Sequence, residues 1–309
     1  NVALVLIDAR HGVVEQTKRH AIIASLLQIP HLVVCINKMD LVDHSQEIFD
    51  KIQDDFEQFA AKLDVKDVSF IPISALNGDN VVNRSENMDW FEGSTLMYYL
   101  ENVHIASDHN FIDTRLPIQS VIRPYSDEFH DYRGYAGRIA GGSFKIGDKI
   151  VALPSGFSSE VTRIVGPSGD QDAAYPPQSV TLLLKDDIDI SRGDMIVREN
   201  NQPEVGQDID LMVCWFDGEK PLTPRGKYAI KHTSQDVRCI IKEVRYKLDI
   251  NTLSRDQEDK RINMNDIARI QIRTTKPLFT DPYRKNRITG SVIIIDEGTN
   301  NTVGAGMVI

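Results

Sequence analysis

Two apolar runs, each ending in a short polar string, constrain this chain more than any other feature. His31-Leu-Val-Val-Cys-Ile36 reads as a buried strand, followed at once by Asn37-Lys38-Met39-Asp40 and then by a polar helical stretch from His44. The second run, Val68-Ser-Phe-Ile-Pro-Ile73, ends in Ser74-Ala75-Leu76. Between and before them lie segments with helical spacing. Glu15 to Gln28 places Ala21, Ile22, Leu26 and Ile29 near one face and is stopped by Pro30. Gln46 to Leu63 carries Ile48, Phe49, Ile52, Phe56, Phe59 and Leu63. A third helix is expected from Ser94 to Val103, capped by Gly93-Ser94. Strands alternating with helices imply a parallel sheet covered by helices. Ligands of such sheets bind outside the carboxyl ends of the strands, where both polar strings fall.

The chemistry of the first string is specific. An ionised Asp carboxylate only accepts hydrogen bonds, so Asp40 can take two parallel ones from the N1 and N2 donors of guanine. Adenine offers no such pair, and the unpaired carboxylate would be left desolvated. Asn-Lys-x-Asp and Ser-Ala-Leu, in this order and each after a strand, together resemble the base-reading elements of GTP-binding domains. That resemblance implies that Asn37 ties the base-binding loops together, that the Lys38 stem covers the base, and that Asp40 reads N1 and N2. Met39 would contribute backbone or packing only, with Ser74, Ala75 and Leu76 supporting the base from its other edge. No G-x-x-x-x-G-K-[ST] run occurs, so a phosphate-cradling loop and its Mg²⁺-binding hydroxyl are missing. The chain is expected to be a fragment that lacks the front of its nucleotide-binding domain and has no catalytic or metal-binding residue of its own.

Around Leu116-Pro117 the pattern changes to short alternating segments separated by Gly, Pro and Asp, the mark of antiparallel barrels. The expected architecture is α/β plus all-β: the C-terminal part of a P-loop GTPase α/β domain (1–107, lacking P-loop and switch regions), then two antiparallel β-barrel domains at 116–199 and 205–309. Asn200-Asn-Gln-Pro203 would link the barrels, and the second would hold the alternating run Val237 to Ile250.

A partial GTP-binding domain followed by two barrels resembles the translation-factor class of GTPases. Asp8-Ala-Arg-His-Gly12 with Gln16, Thr17 and His20 is similar to the strand-loop-helix that follows switch II in that class. Within the class, Leu6-Ile-Asp-Ala-Arg-His-Gly12, Asp131-Tyr-Arg-Gly-Tyr-Ala-Gly137, Leu153-Pro-Ser-Gly156, Asp187-Ile-Asp-Ile-Ser-Arg-Gly-Asp194 and Thr302-Val-Gly-Ala-Gly306 resemble the GTPase (large) subunit of bacterial heterodimeric sulfate adenylyltransferase. The resemblance implies a GTPase that couples GTP hydrolysis to formation of adenosine 5′-phosphosulfate by a small catalytic adenylyltransferase subunit, which binds ATP and sulfate. GTP and Mg²⁺ would serve the intact protein, while the fragment itself would be inactive. An elongation-factor-like GTPase binding aminoacyl-tRNA shares the architecture. A β-barrel interaction module with a degenerate GTP-binding domain is the non-enzymatic alternative.

Charge weighs against nucleic acid, since the net charge is −10 and phosphate contacts ordinarily demand a basic face. The apolar runs reach about half a dozen residues, against the ~20 needed to cross a bilayer. Three scattered cysteines, Cys35, Cys214 and Cys239, have no metal or redox spacing and fit a reducing, cytoplasmic compartment. Three further features read as structural. His20 is taken as a helix histidine and Tyr132-Arg133 as part of a barrel strand. Asp187 and Asp189 would lie on one face and Asp186 on the other.

Overall fold

The computed structural model describes residues 1–65, 67–104, 110–124 and 132–309. They divide into two units, Asn1–Asp108 with Asp249–Ser254, and His109–Leu248 with Arg255–Ile309. The expected first-domain limit at Ser107, and the Asp131 that opens one of the family strings, lie outside the described residues.

In the first unit the elements run β1 (Val2–Asp8), α1 (Glu15–Leu26), β2 (His31–Asn37), α2 (Gln46–Ala60), β3 (Asp67–Pro72) and α3 (Leu96–Asn102). The three strands form a parallel sheet in the order β1-β2-β3. The central strand is buried continuously from Leu32 to Ile36, which explains its unbroken apolar run. Helix α2 sits on its apolar stripe, Phe49, Ile52, Phe56 and Phe59, and opens on Ser45, whose Oγ accepts the Ile48 N–H at 3.4 Å.

All three helices are shorter than their periodicity predicts. Helix α1 stops at Leu26, because the Leu27 and Gln28 N–H groups close on Ile23 and Ser25 carbonyls and Gln28 turns to φ +52°. Helix α2 ends at Ala60, and Leu63 falls in the turn that follows. The N-cap of α3 is Thr95, whose Oγ1 accepts from the Tyr98 N–H at 3.4 Å, in place of Gly93-Ser94.

The second unit begins with β4 (Arg115–Ile122), β5 (Gly134–Arg138), β6 (Phe144–Lys145), β7 (Lys149–Leu153), β8 (Phe157–Gly166), β9 (Gly169–Gln171), β10 (Ala173–Ala174), β11 (Ser179–Leu184) and β12 (Met195–Arg198). Antiparallel pairing in the order β11-β5-β4-β12-β7-β8 closes on itself through β8 and β11, giving a six-stranded barrel with β9 added beyond β8. Its interior holds Leu116, Ile118, Tyr135, Phe144, Ile164 and Leu182.

Next come β13 (Glu204–Trp215), β14 (Lys227–His232), β15 (Gln235–Leu248), β16 (Arg255–Asp256), β17 (Ile267–Thr280), β18 (Ser291–Ile295) and β19 (Thr302–Val308). Here β14-β18-β19-β13-β17-β15 closes through β14 and β15 around Trp215, Leu211, Ile241 and Ile270. Closure leaves no open sheet edge among these strands. The alternation expected from Val237 to Ile250 slips phase. Val237, Cys239 and Ile241 pack in the core, then Val244, because a register shift lies between Ile241 and Glu243, and a second follows between Val244 and Tyr246.

The stretch read as a linker is pinned. Arg115, 1% exposed, donates from Nε and Nη2 to the two oxygens of Asp281, both at 2.9 Å. Its Nη1 reaches the Asn201 carbonyl and Oδ1 at 2.6 and 2.8 Å, and the Thr114 carbonyl at 2.9 Å. Thr289 Oγ1 donates to Asp281 at 2.7 Å, and Asn201 Nδ2 to Asp113 at 2.8 Å. The Asn286 carboxamide donates to the Ala140 carbonyl at 3.0 Å. Asn286 is thus a buried residue of the joint. Apolar packing of Val151, Leu153, Met195 and Val197 against Phe279 completes the contact between barrels.

Removing one partner from a buried ion pair strands the other charge, which typically costs about 3–5 kcal/mol. Asp281→Ala is therefore expected to lower unfolding stability by about that much in urea titration, while Asp281→Ala with Arg115→Met recovers most of it. A loss under about 1 kcal/mol in the single variant would show that water reaches the guanidinium.

Candidate functional site

The parallel register levels the strand ends. Asp8 of β1 stands beside Asn37 of β2, and Ile36 beside Pro72 of β3, so the segments after all three strands leave from one edge of the sheet. The chain leaves β2 through Lys38 in the left-handed region, φ +65° and ψ +36°, and enters a short 3₁₀ turn, Met39–Val42. That conformation is uncommon for a residue with a side chain and needs local support. Asn37 supplies it, its Oδ1 accepting the Lys38 N–H at 2.7 Å. Met39 anchors the turn from beneath. Its side chain is fully buried and its N–H donates to the Ile73 carbonyl at 3.2 Å.

The same Asn37 Oδ1 also accepts the Ala75 N–H at 3.0 Å, tying the loop after β2 to the loop after β3. Buried Ser74 donates its hydroxyl to Asp40 Oδ1 at 2.6 Å and accepts the Asn77 N–H at 3.3 Å. One hydroxyl therefore orients the carboxylate and closes its own turn. Asn37, Lys38, Met39, Asp40, Ser74 and Ala75 come together in a single network. Leu76 is 87% exposed and takes part in none of these bonds. The Ala75 N–H donates to Asn37, so its role here is to join the loops.

Two residues that motif reading did not assign belong to the same edge. Asp8 Oδ2 meets the Lys38 ammonium at 2.9 Å. Arg10 grips the same carboxylate, its N–H and Nε on Oδ1 at 3.0 Å each and its Nη2 on Oδ2 at 2.7 Å. Hydrogen bonds from Arg10, opposed by burial and reinforced by Lys38, hold the Asp8 carboxyl well below the usual carboxylate range. The hydrogen bonds and charge of Asp8 in turn raise the Arg10 pKa, with a smaller contribution from the negative charge of Asp40. In the sequence Asp8 and Arg10 stood out only as members of the string Leu6 to Gly12, with no role attached to either.

Other features have structural occupations. His20 pairs with Gln16 on α1 at 2.9 Å. Arg133 bonds to Asp187 and to Asp189 (3.0 Å), while Asp186 takes the Ser159 hydroxyl at 2.8 Å, so the acidic run splits by face. Lys260 Nζ caps the Arg245 carbonyl at 3.1 Å. Among the described residues no group of three or more His, Cys, Asp or Glu could hold a metal ion.

Comparison with known proteins follows this geometry. The family model for the elongation factor Tu GTP-binding domain matches residues 1–115, and that for the GTP-eEF1A C-terminal domain-like group matches 208–309. The bifunctional enzyme CysN/CysC of Mycobacterium tuberculosis (strain ATCC 25618 / H37Rv) is 50% identical over 308 residues, covering 100% of this chain and 50% of that protein. Sulfate adenylyltransferase subunit 1 of Bacteroides fragilis (strain YCH46) is 48% identical over 309 residues, covering 100% of this chain and 64% of its own length. The chain thus spans half to two thirds of the curated relatives it matches. Among solved structures, Sup35 complexed with GMPPNP covers 100% of this chain and 78% of its own at a TM-score of 0.58 and 22% identity, a likeness of fold. With matches of this identity from end to end, the chain is similar along its whole length to proteins named sulfate adenylyltransferase subunit 1, and over residues 1–115 to the elongation factor Tu GTP-binding domain.

Proposed function

We propose that this chain supplies the guanine-reading edge and both barrels of the GTPase subunit of a sulfate adenylyltransferase. In that enzyme GTP hydrolysis is coupled to the formation of adenosine 5′-phosphosulfate and pyrophosphate from ATP and sulfate on a small partner subunit. The observation that carries the base reading is the Ser74–Asp40 hydrogen bond within the Asn37 clasp, which orients the carboxylate at the strand ends. Fixed acceptors of this kind discriminate strongly, because the wrong base leaves them unpaired. Asp40 accepts the N1 and N2 protons of guanine, the Lys38 stem covers the base, Asn37 ties the two loops together, and Ser74, Ala75 and Leu76 support the base from its other edge.

The relatives' name, sulfate adenylyltransferase subunit 1, supports the assignment of the reaction and implies a further subunit. Joining sulfate to an adenylyl group is strongly uphill, because the phosphate–sulfate anhydride is so reactive. The GTPase contributes by making the partner's unfavourable step proceed through linked conformational states. GTP bound with Mg²⁺ supplies the hydrolytic free energy. No G-x-x-x-x-G-K-[ST] run occurs in the sequence, and we assign the phosphate and Mg²⁺ ligands to no residue of this chain. We divide the chain into a partial GTP-binding domain, 1–107, and barrels at 116–199 and 205–309.

We place the protein in the cytoplasm, away from membrane and nucleic acid. The net charge of −10 supports this, as do thiols that burial makes unreactive, with Cys35 pushed up to about 11 and Cys239 to about 12. No helix in the described residues is long and apolar enough to cross a membrane.

In the full-length protein, Asp40→Asn is expected to weaken GTP binding by about a hundredfold or more and to favour xanthosine triphosphate, whose base carries an acceptor at position 2. Equal GTP affinity in variant and wild type would remove Asp40 from the site. The reaction itself is tested by sulfate-dependent pyrophosphate release from ATP, using the full-length protein with its small subunit. Strong stimulation by GTP that needs both subunits is expected. Absence of stimulation, with binding of aminoacyl-tRNA in a parallel sample, would point to the elongation-factor-like reading.

A further inference from the structure

Lys38 is anchored at both ends of its side chain. Its backbone N–H is held by Asn37 Oδ1 at 2.7 Å in the left-handed region, and its ammonium lies 2.9 Å from Asp8 Oδ2. Between these anchors the methylene stem is stretched along the sheet edge, in a side chain left 45% exposed. A lysine stem with a free end carries as much rotamer entropy as any side chain and loses it when a ligand pins it down. An anchored stem has already lost it.

We propose that Asp8 is a positioning residue for nucleotide binding: by holding the Lys38 ammonium, it fixes the lysine stem as a preformed platform for the face of the base. This rests on the reading of Asp40 as the partner of guanine. The anchor is itself oriented, since three donors of Arg10 occupy both oxygens of the Asp8 carboxylate and leave it presented to Lys38. The same donors hold its carboxyl far below neutrality, so the anchor stays charged wherever the protein works. Arg10, Asp8 and Lys38 thus form a chain of alternating charge leading toward Asp40, whose field Arg10 also feels.

A plain strand-to-strand ion pair is the competing account. The two strands, however, are already laddered from Val2 beside His31 to Asp8 beside Asn37, and the Ala9 N–H extends the pairing to the Asn37 carbonyl at 2.9 Å. A half-exposed ion pair adds little to stability at such a place. Its effect falls on where the Lys38 stem lies, and preorganisation of that kind slows ligand departure.

The test is dissociation of a fluorescent GDP from the full-length protein. Asp8→Asn is expected to release it about fivefold faster, in line with the worth of a partly exposed pair, with an unchanged melting temperature. Lys38→Met, which keeps a stem but no ammonium, is expected to match it, and the double variant to be no faster than either. An unchanged rate in Asp8→Asn or in Lys38→Met overturns the proposal, and so do rates that multiply in the double variant. Should Asp8→Asn fail to fold, Lys38→Met alone carries the same test with Asp8 in place. Asp40→Asn in the same assay separates the two levels. Unaltered GDP binding there sinks the base reading. Lost GDP binding there, with an unaltered rate in Asp8→Asn, sinks only the positioning role.

Discussion

One side-chain oxygen organises the candidate site. Asn37 Oδ1 accepts two backbone N–H groups, one from Lys38 directly after its own strand and one from Ala75 after the next strand. Each would otherwise be a turn donor without a fixed partner, and such groups are costly to leave unmet. Sharing one acceptor forces the two loops into a single arrangement. Everything else follows from it: the left-handed turn at Lys38, the seat of Met39 on the Ile73 carbonyl, and the approach of the Ser74 hydroxyl to Asp40. The clasp is rigid because its base is rigid. Leu32 to Ile36 are buried without a break, and β2 is laddered on both sides.

The local part of this site could be read from the sequence. Asn37 to Asp40 and Ser74 to Leu76 are contiguous strings, each placed by an apolar run whose end marks the rim of a parallel sheet. Asp8 and Arg10 could not be read the same way. Arg10 acts through Asp8, whose partner Lys38 is some thirty positions away in the chain, and only the pairing of β1 with β2 makes those two neighbours. Leu76 shows the opposite limit: a motif position can be matched in letters and still make none of the contacts around it.

The same contrast between local and distant information runs through the barrels. Turns and alternating segments announced antiparallel barrels, and closure through β8 with β11 and β14 with β15 agrees with that. Periodicity failed where the strand itself changes phase, at the two register shifts of β15. Composition also misread the segment at Asn200 to Pro203. Polar and proline-containing, it has the look of a loose tether, yet Asn201 accepts from a buried arginine whose main partner, Asp281, lies 166 positions away from it. Exposed pairs such as Arg163 with Asp170 add little to stability, since water screens both charges. Arg115 is of another kind, since its charge is tolerable only with every donor met.

The central claim is that this edge of the sheet reads guanine through Asp40. The most direct measurement is a crystal structure of the full-length protein with GDP. The account predicts guanine N1 and N2 within about 3.2 Å of the Asp40 carboxylate, with the Ser74 bond retained and the Lys38 stem lying along the base. A base bound elsewhere, or one whose N1 and N2 face solvent or another residue, would contradict it.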